Sequence, residues 1–190
     1  VVQKEMYNFE DKGGRKIVKA NLTGNGLVDA LAVQIEKSIE YLYSPGGIEE
    51  NRRKPDVYKN ILPVKSKTRR DENEFFPHVL IQYIGEEIKE VISLEKNIAS
   101  VYIVSAVAAD EYREYGIEEV INCLTRIKND LLEKGYVSKE EYKPGIHGPF
   151  KVVRNGMTLT IPQEQNDPKF YGYLKVDFEI PLVQQKREIF

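Results

Sequence analysis

Residues 157–184, MTLTIPQEQNDPKFYGYLKVDFEIPLVQ, decide the fold, because they end in a long segment with strict two-residue alternation. The apolar positions of that segment are Leu174, Val176, Phe178 and Ile180. The positions between them are Tyr173, Lys175, Asp177 and Glu179. This alternation predicts a β-strand with one face on a core and the other in water. Pro181 ends the ladder because it has no N–H to donate, and an antiparallel sheet with one solvated face is predicted.

Two helices are predicted from apolar residues that recur at helical spacing. Asn25 or Thr23 can cap the first helix, and residues 44–47, Ser-Pro-Gly-Gly, end it. Its apolar stripe consists of Leu27, Leu31, Ile35, Ile39 and Leu42. The second helix covers residues 117–134, and Gly135 is a natural C-terminal cap. Its apolar face consists of Ile117, Val120, Ile121, Leu124, Ile127, Leu131 and Leu132.

Strands are predicted between and after the helices. Residues 78–84 and 87–94 form two strand candidates on either side of a turn at Gly85-Glu86. Residues 99–108 are apolar at successive positions, which predicts a central strand covered on both faces. The sequence Arg154-Asn155-Gly156 lies between two apolar runs and predicts a hairpin, since Asn-Gly is a strong hairpin signal.

This order of elements predicts an α+β fold, in which two main helices pack on a mostly antiparallel sheet. The expected organisation is an extended N-terminal arm (1–20), a single domain (21–183) and a C-terminal tail (184–190). We expect one core between helices and sheet, formed by Leu31, Ile35, Val104, Leu124, Ile127, Leu131, Val176, Phe178 and Ile180.

Residues 45–77 are the least regular part of the sequence, with eight basic and six acidic side chains around a short apolar island near Val57 and Tyr58. A loop of this length inside a domain is commonly functional or disordered. Seven basic residues of this stretch are candidate contacts with a partner subunit, a tube protein or phosphates. They are Arg52, Arg53, Lys54, Lys65, Lys67, Arg69 and Arg70. The interleaved acids weaken that positive field, so a solvated loop is the competing interpretation.

Composition gives no sign of a polyanion-binding or membrane-spanning chain. The 190 residues carry a formal net charge of −2, with 41% hydrophobic and 31% charged residues, which is typical of a globular domain. No apolar run approaches the roughly 18 residues that a membrane-spanning helix needs. The single cysteine, Cys123, allows no intrachain disulfide.

The sequence contains no recognisable catalytic or metal-binding motif. His78 and His147 are far apart and lack acidic or histidine partners at metal-ligand spacing, so structural or solvated roles are expected. Cys123 lies beside the apolar face of the second helix, which favours a small core residue over a nucleophile. Gly24-Asn25-Gly26 lacks the third glycine of a dinucleotide-binding motif. We therefore expect a non-enzyme without cofactor or metal.

Five segments together resemble a family of tail-completion, or tail terminator, proteins of long-tailed phages and prophages. Two of them are VYKNILP (57–63) and FPHVLIQ (76–82), the latter followed by Gly85-Glu86-Glu87. The others are the second helix (116–135) and the two stretches 159–165 and 171–183. One departure is Lys169-Phe170, where the family pattern has an aromatic pair.

The resemblance implies a tail-terminator-like fold and a structural function in virion assembly. Members of this family form a ring, usually a hexamer, on the last ring of tube protein at the head-proximal end of the tail. There they stop tube growth and join tube or sheath to the neck. The implied partners are other copies of the chain, the tail tube protein, and a sheath or neck protein. DNA is a partner only through the ring lumen, and no membrane is involved.

Self-association is also predicted from the sequence itself. The two terminal segments suit contacts with neighbouring subunits, and Ile189-Phe190 offers an apolar anchor on a polar tail. A head-to-tail contact of that kind closes into a ring when its rotation allows. The alternative hypothesis is a neck adaptor or nucleic-acid-contacting module that uses the basic loop of residues 52–70. The expected location is the tail of a virion or phage-tail-like particle assembled in the bacterial host cytoplasm.

Overall fold

The computed structural model describes residues 24–63, 75–91, 94–108, 113–138, 150–165 and 168–180. The predicted N-terminal arm, the C-terminal tail and the whole stretch 64–74 lie outside these residues. The helices and strands are α1 Gly24–Tyr43, β1 Asp56–Lys59, β2 His78–Val91, β3 Leu94–Ala108, α2 Arg113–Lys134, β4 Tyr136–Val137, β5 Phe150–Val152, β6 Thr158–Thr160 and β7 Lys169–Ile180.

Strand β7 has the two faces that its sequence predicts. Buried and half-buried residues alternate along all of it, and Leu174, Val176 and Phe178 have no exposed surface. It pairs antiparallel with β3 over twelve positions, including Val101 opposite Val176. The period-2 pattern was therefore sufficient to assign both the strand and its core face.

One sheet contains all the strands, in the order β1-β2-β3-β7-β5-β4, with β6 also pairing with β7. Every pairing is antiparallel except that of β1 with β2, which is parallel. Both helices belong to the same buried cluster as β2, β3 and β7, so both cover one face of the sheet, here called the core face. The predicted α+β fold, a mostly antiparallel sheet with two helices packed on it, is confirmed.

The helix stripes are largely as predicted. All five apolar residues predicted for α1 are buried, and in α2 Val120, Leu124, Ile127 and Leu131 are buried. Ile121 is an exception with 38% of its surface exposed, because it lies beyond the side of α2 that meets the sheet. Gly135 has a φ of +71° directly after α2, which confirms it as the cap. Its N–H donates to the carbonyl of Leu131 at 2.9 Å.

The core prediction was wrong for Val104. Along β3 the core-face residues Val101 and Ile103 are fully buried, whereas the residues that follow each of them, Tyr102 and Val104, are half-buried on the opposite, outer face. The same alternation corrects the expectation that the central strand is covered on both faces. Its outer face carries apolar residues, but no described helix covers it.

Two turn predictions were wrong. Gly85-Glu86 is not a turn, because β2 runs through it and pairs with β3 on both sides of a bulge between Tyr83 and Gly85. Arg154-Asn155-Gly156 forms a turn of 3-10 helix, and β5 and β6 on either side of it both pair with β7 instead of each other. The Asn-Gly hairpin turn needs positive φ at both residues, and neither has it here.

The irregular stretch 45–77 contains a strand that was not predicted. Residues of β1 pair with the start of β2, with Val57 opposite Val79 and Lys59 opposite Ile81. A four-residue strand is too short to show a period, and the charges around it obscured its apolar centre. Residues 56–59, in the middle of this stretch, are therefore part of the sheet.

Candidate functional site: surfaces and a buried carboxylate cluster

Three of the predicted contact residues lie in the described part of the chain: Arg52, Arg53 and Lys54. Arg53 is exposed and pairs with Asp56 at 2.7 Å. Lys54 is exposed. The remaining candidates, Lys65, Lys67, Arg69, Arg70, Ile189 and Phe190, lie outside the described residues, as does His147.

Arg52 is held by two carboxylates of its own chain. Its Nε lies 3.1 Å from Glu49 Oε2, and its Nη1 lies 3.0 Å from Glu119 Oε2. The guanidinium also lies over the ring of Tyr115, 5.7 Å from the centroid. These contacts direct the guanidinium towards the protein, so Arg52 has a structural role within the subunit.

The two carboxylates are almost completely buried, with 7% of Glu49 and 5% of Glu119 exposed. The Tyr43 hydroxyl donates to Glu119 Oε1 at 3.1 Å, and Asn122 Nδ2 donates to Glu49 Oε1 at 2.9 Å. We call Tyr43, Glu49, Arg52, Glu119 and Asn122 the carboxylate cluster. It joins the end of α1 and the loop after it to α2.

Burial controls the ionisation of this region. It raises the pKa of Glu119 above the ordinary value of 4.5, although hydrogen bonds from Tyr43 and Arg52 act in the opposite direction. Burial also raises the pKa of the Cys123 thiol to about 12, and Glu119 and Glu49 add to the effect. Cys123 is therefore a protonated core residue at neutral pH, with the role that its position in α2 predicts.

His78 is a structural histidine at the start of β2. It is 5% exposed, and its Nδ1 forms a 2.8 Å hydrogen bond with the carbonyl of Phe75. Its ring lies 5.1 Å from that of Phe76 and 6.1 Å from that of Tyr58, centroid to centroid. Burial lowers the pKa of His78, so the imidazole is neutral at neutral pH.

A basic groove lies at the β4–β5 side of the sheet. It is a cavity of about 730 Å³ lined by Lys96, Lys134, Lys151, Arg154 and Glu179, together with Gly135, Tyr136, Val152 and Val153. Four cationic side chains thus face one carboxylate, although the whole chain carries a net charge of −2. The sequence did not predict this groove because its basic residues come from three separate segments, with Lys96 in β3, Lys134 in α2, and Lys151 and Arg154 in and just after β5.

The opposite side of the sheet ends in an acidic edge, residues 84–91 of β2. Strand β1 covers β2 only as far as Ile81, and no other described strand pairs with that side. Ile84 and Ile88 are 54% and 63% exposed, and Glu86 and Glu87 are exposed beside them. Exposed edge strands with apolar side chains are ready sites for pairing with another chain.

No group of three or more His, Cys, Asp or Glu side chains among the described residues is arranged to hold a metal ion. No described helix is long and apolar enough to cross a membrane. Comparison of the chain with protein-family models and with curated proteins gives no match.

Proposed function

We propose that this chain is a structural assembly protein that caps the head-proximal end of a phage tail tube. In this function a ring of copies binds the last ring of tube protein, stops its growth and joins the tube or sheath to the neck. The five segments that resemble tail terminator proteins support this proposal. They lie in β1, β2, α2, β6 and β7 and in the residues that flank these elements.

The observation that carries the proposal is the distribution of the exposed surface. A cap in a ring needs two different contact surfaces on each subunit, because every copy meets one neighbour on each side. The acidic edge faces the β1 side of the sheet, whereas the basic groove extends from Lys96 of β3 across β7 to β5 and the start of β4. The alternative, a nucleic-acid module built on residues 52–70, gains no support from Arg52 and Arg53, which pair with carboxylates of their own chain.

The proposal is tested by deleting the gene from the phage or prophage that encodes it and measuring tail lengths by electron microscopy. Without a terminator, tube polymerisation continues, so tubes of variable and excessive length without attached heads are expected. Supplying the wild-type chain from a plasmid should restore a single length. Particles of normal length that retain their heads after the deletion would refute the proposed function.

A further inference from the structure

We infer that the acidic edge of one copy docks in the basic groove of the next copy, so that the chain self-associates head to tail. The inference rests on the proposed function, because it names the contact that builds the ring. The occupant of the groove is therefore a second copy of this chain, and the contact is held by strand-edge hydrogen bonds and opposite charges.

The acidic edge has both an unused hydrogen-bonding edge and apolar side chains. The Ile81 carbonyl accepts from the Asn60 N–H at 2.7 Å, and beyond it the only described main-chain hydrogen bond on this side of β2 is from the Tyr83 N–H to the Asn60 side chain at 3.2 Å. Its main-chain groups alternate in direction, as they do in every strand, so half of them point away from β3. Ile84 and Ile88, 54% and 63% exposed, supply apolar surface at this edge that a docked chain can bury.

The charge of this edge is negative. Its described charged side chains are Glu86 and Glu87 against a single cation, Lys89. Lys89 lies 3.3 Å from Glu87, in a pair whose side chains are 47% and 71% exposed. Exposed pairs of this kind contribute little and exchange partners readily. Glu86 already accepts hydrogen bonds from Tyr83 and Asn97, so Glu87 is the carboxylate that the edge offers to a positively charged surface.

The groove has an excess of positive charge that the described residues of the subunit do not neutralise. Lys96 pairs with Glu179 at 2.9 Å, and Lys134 with Asp130 at 3.4 Å. Lys151 lies opposite Glu179 in the register of β5 and β7, but within the described residues neither it nor Arg154 forms an ion pair. Two cations in a cleft thus remain for the carboxylates of an incoming chain.

Charge selects the head-to-tail arrangement over a two-fold dimer. In a symmetric contact through the acidic edge, Glu87 of each copy would approach acids of the other. A symmetric contact through the groove would bring Lys151 close to a second set of cations. Juxtaposed like charges oppose association, whereas edge-to-groove contact pairs opposite signs in every interface. Because the two surfaces differ, the contact repeats and gives either a ring or a filament.

Charge reversal tests this arrangement directly. Glu87→Lys changes the edge and Lys151→Glu changes the groove, and both residues are exposed. Self-association of the full chain is measured by sedimentation velocity over a wide range of concentration at low salt. Each single variant should associate at least about tenfold more weakly than the wild type, since each interface then carries a like-charge contact.

Mixing the two variants provides the decisive result. The Glu87→Lys edge fits the Lys151→Glu groove, and the unchanged edge fits the unchanged groove, so an equimolar mixture should associate as the wild type does. The double variant in one chain should also recover. A matched control, Glu36→Lys, reverses an exposed charge on α1 and should leave association unchanged. Thermal unfolding of each variant establishes that it is folded.

Three outcomes would overturn the inference: a wild-type chain that stays monomeric at its highest soluble concentration, single variants that associate normally, or a mixture that does not recover. These results are independent of the proposed function. A chain that associates by this contact but never occurs in a tail would refute the function and leave the contact intact. A chain that occurs at the tail end but whose mixed variants do not recover association would refute the contact and leave the proposed function intact.

Discussion

The guanidinium of Arg52 lies 3.0 Å from the carboxylate of Glu119, a residue 67 positions later in the chain. Glu49, in the turn after α1, lies 3.1 Å from Nε of the same guanidinium. One half-exposed cation thus neutralises two buried carboxylates. The contact fixes the segment between α1 and β1 against α2, and so positions the start of the segment that contains the predicted basic loop.

Removing this cation should destabilise the fold strongly. Arg52→Met leaves Glu49 and Glu119 buried without a positive partner, and breaking a buried ion pair costs about 3–5 kcal/mol. The matched control is Arg53→Met, which breaks the exposed pair with Asp56 and should cost less than about 1 kcal/mol. Urea unfolding of the three proteins measures both values. Equal losses for Arg52 and Arg53 would contradict the structural role of Arg52.

The raised pKa of Glu119 predicts a specific pH dependence. The folded state holds the proton of Glu119 more tightly than the unfolded state does, where the ordinary value of 4.5 applies. The proton on Glu119 therefore contributes to the free energy of unfolding fully at pH values below 4.5. This contribution is lost as pH rises through the raised pKa of the folded state.

Glu119→Gln removes this titration and keeps the size of the side chain. The free energy of unfolding of the wild type, measured relative to this variant, should decrease as pH rises from about 4.5 towards neutrality. Neighbouring groups that titrate or carry charge, Tyr43, Glu49, Arg52 and Cys123, are the same in both proteins. If the free energy of unfolding of the wild type, relative to Glu119→Gln, instead increased with pH, the Arg52 contact and not burial would dominate the pKa of Glu119.

The two faces of the sheet predict unequal costs for the same substitution in one strand. Val101→Ala deletes two methyl groups at a fully buried position of β3 and should cost about 2 kcal/mol. Val104→Ala, on the outer face, should cost clearly less because Val104 is only half-buried.

Phe178→Ala, where the ring is fully buried, should cost about 3–5 kcal/mol. A loss below about 1 kcal/mol for Phe178 would mean that the faces were assigned backwards.

Much of the fold could be predicted because its elements carry one clear period each. The alternation around Phe178 and the stripe through Leu31 each report burial on one side only. Turns were harder to predict because they depend on local dihedral angles. Asn155-Gly156 has the composition of a hairpin turn, but β7 is long enough to pair with both flanking strands, and this pairing determines the conformation.

The interaction surfaces could be predicted only in part. The basic groove combines Lys96, Lys134, Lys151 and Arg154 from segments up to 58 residues apart, and only the folded sheet brings them together. Arg52 looked like a loop cation because its partner Glu119 is remote in sequence. Charge patterns along a chain therefore identify solvated cations less reliably than apolar periods identify a core.

The glycine after α2 provides a test of the local backbone. Gly135 has a φ of +71°, where a Cβ atom is disfavoured, so Gly135→Ala should lower the free energy of unfolding by about 1 kcal/mol. Gly135→Asn is the matched control and should cost less, because asparagine tolerates this region better. Urea unfolding measures both variants. An alanine variant as stable as the wild type would contradict the assigned cap.

The most direct test of the central claim is to locate the chain in the intact particle by cryo-electron microscopy. We expect a single ring of this protein, in one register, between the last tube ring and the neck at the head-proximal end. Neighbouring subunits in that ring should contact each other through residues 84–91 of one copy and the Lys151–Arg154 region of the next. Density for this chain along the tube, at the distal tip, or nowhere in the particle would contradict the account.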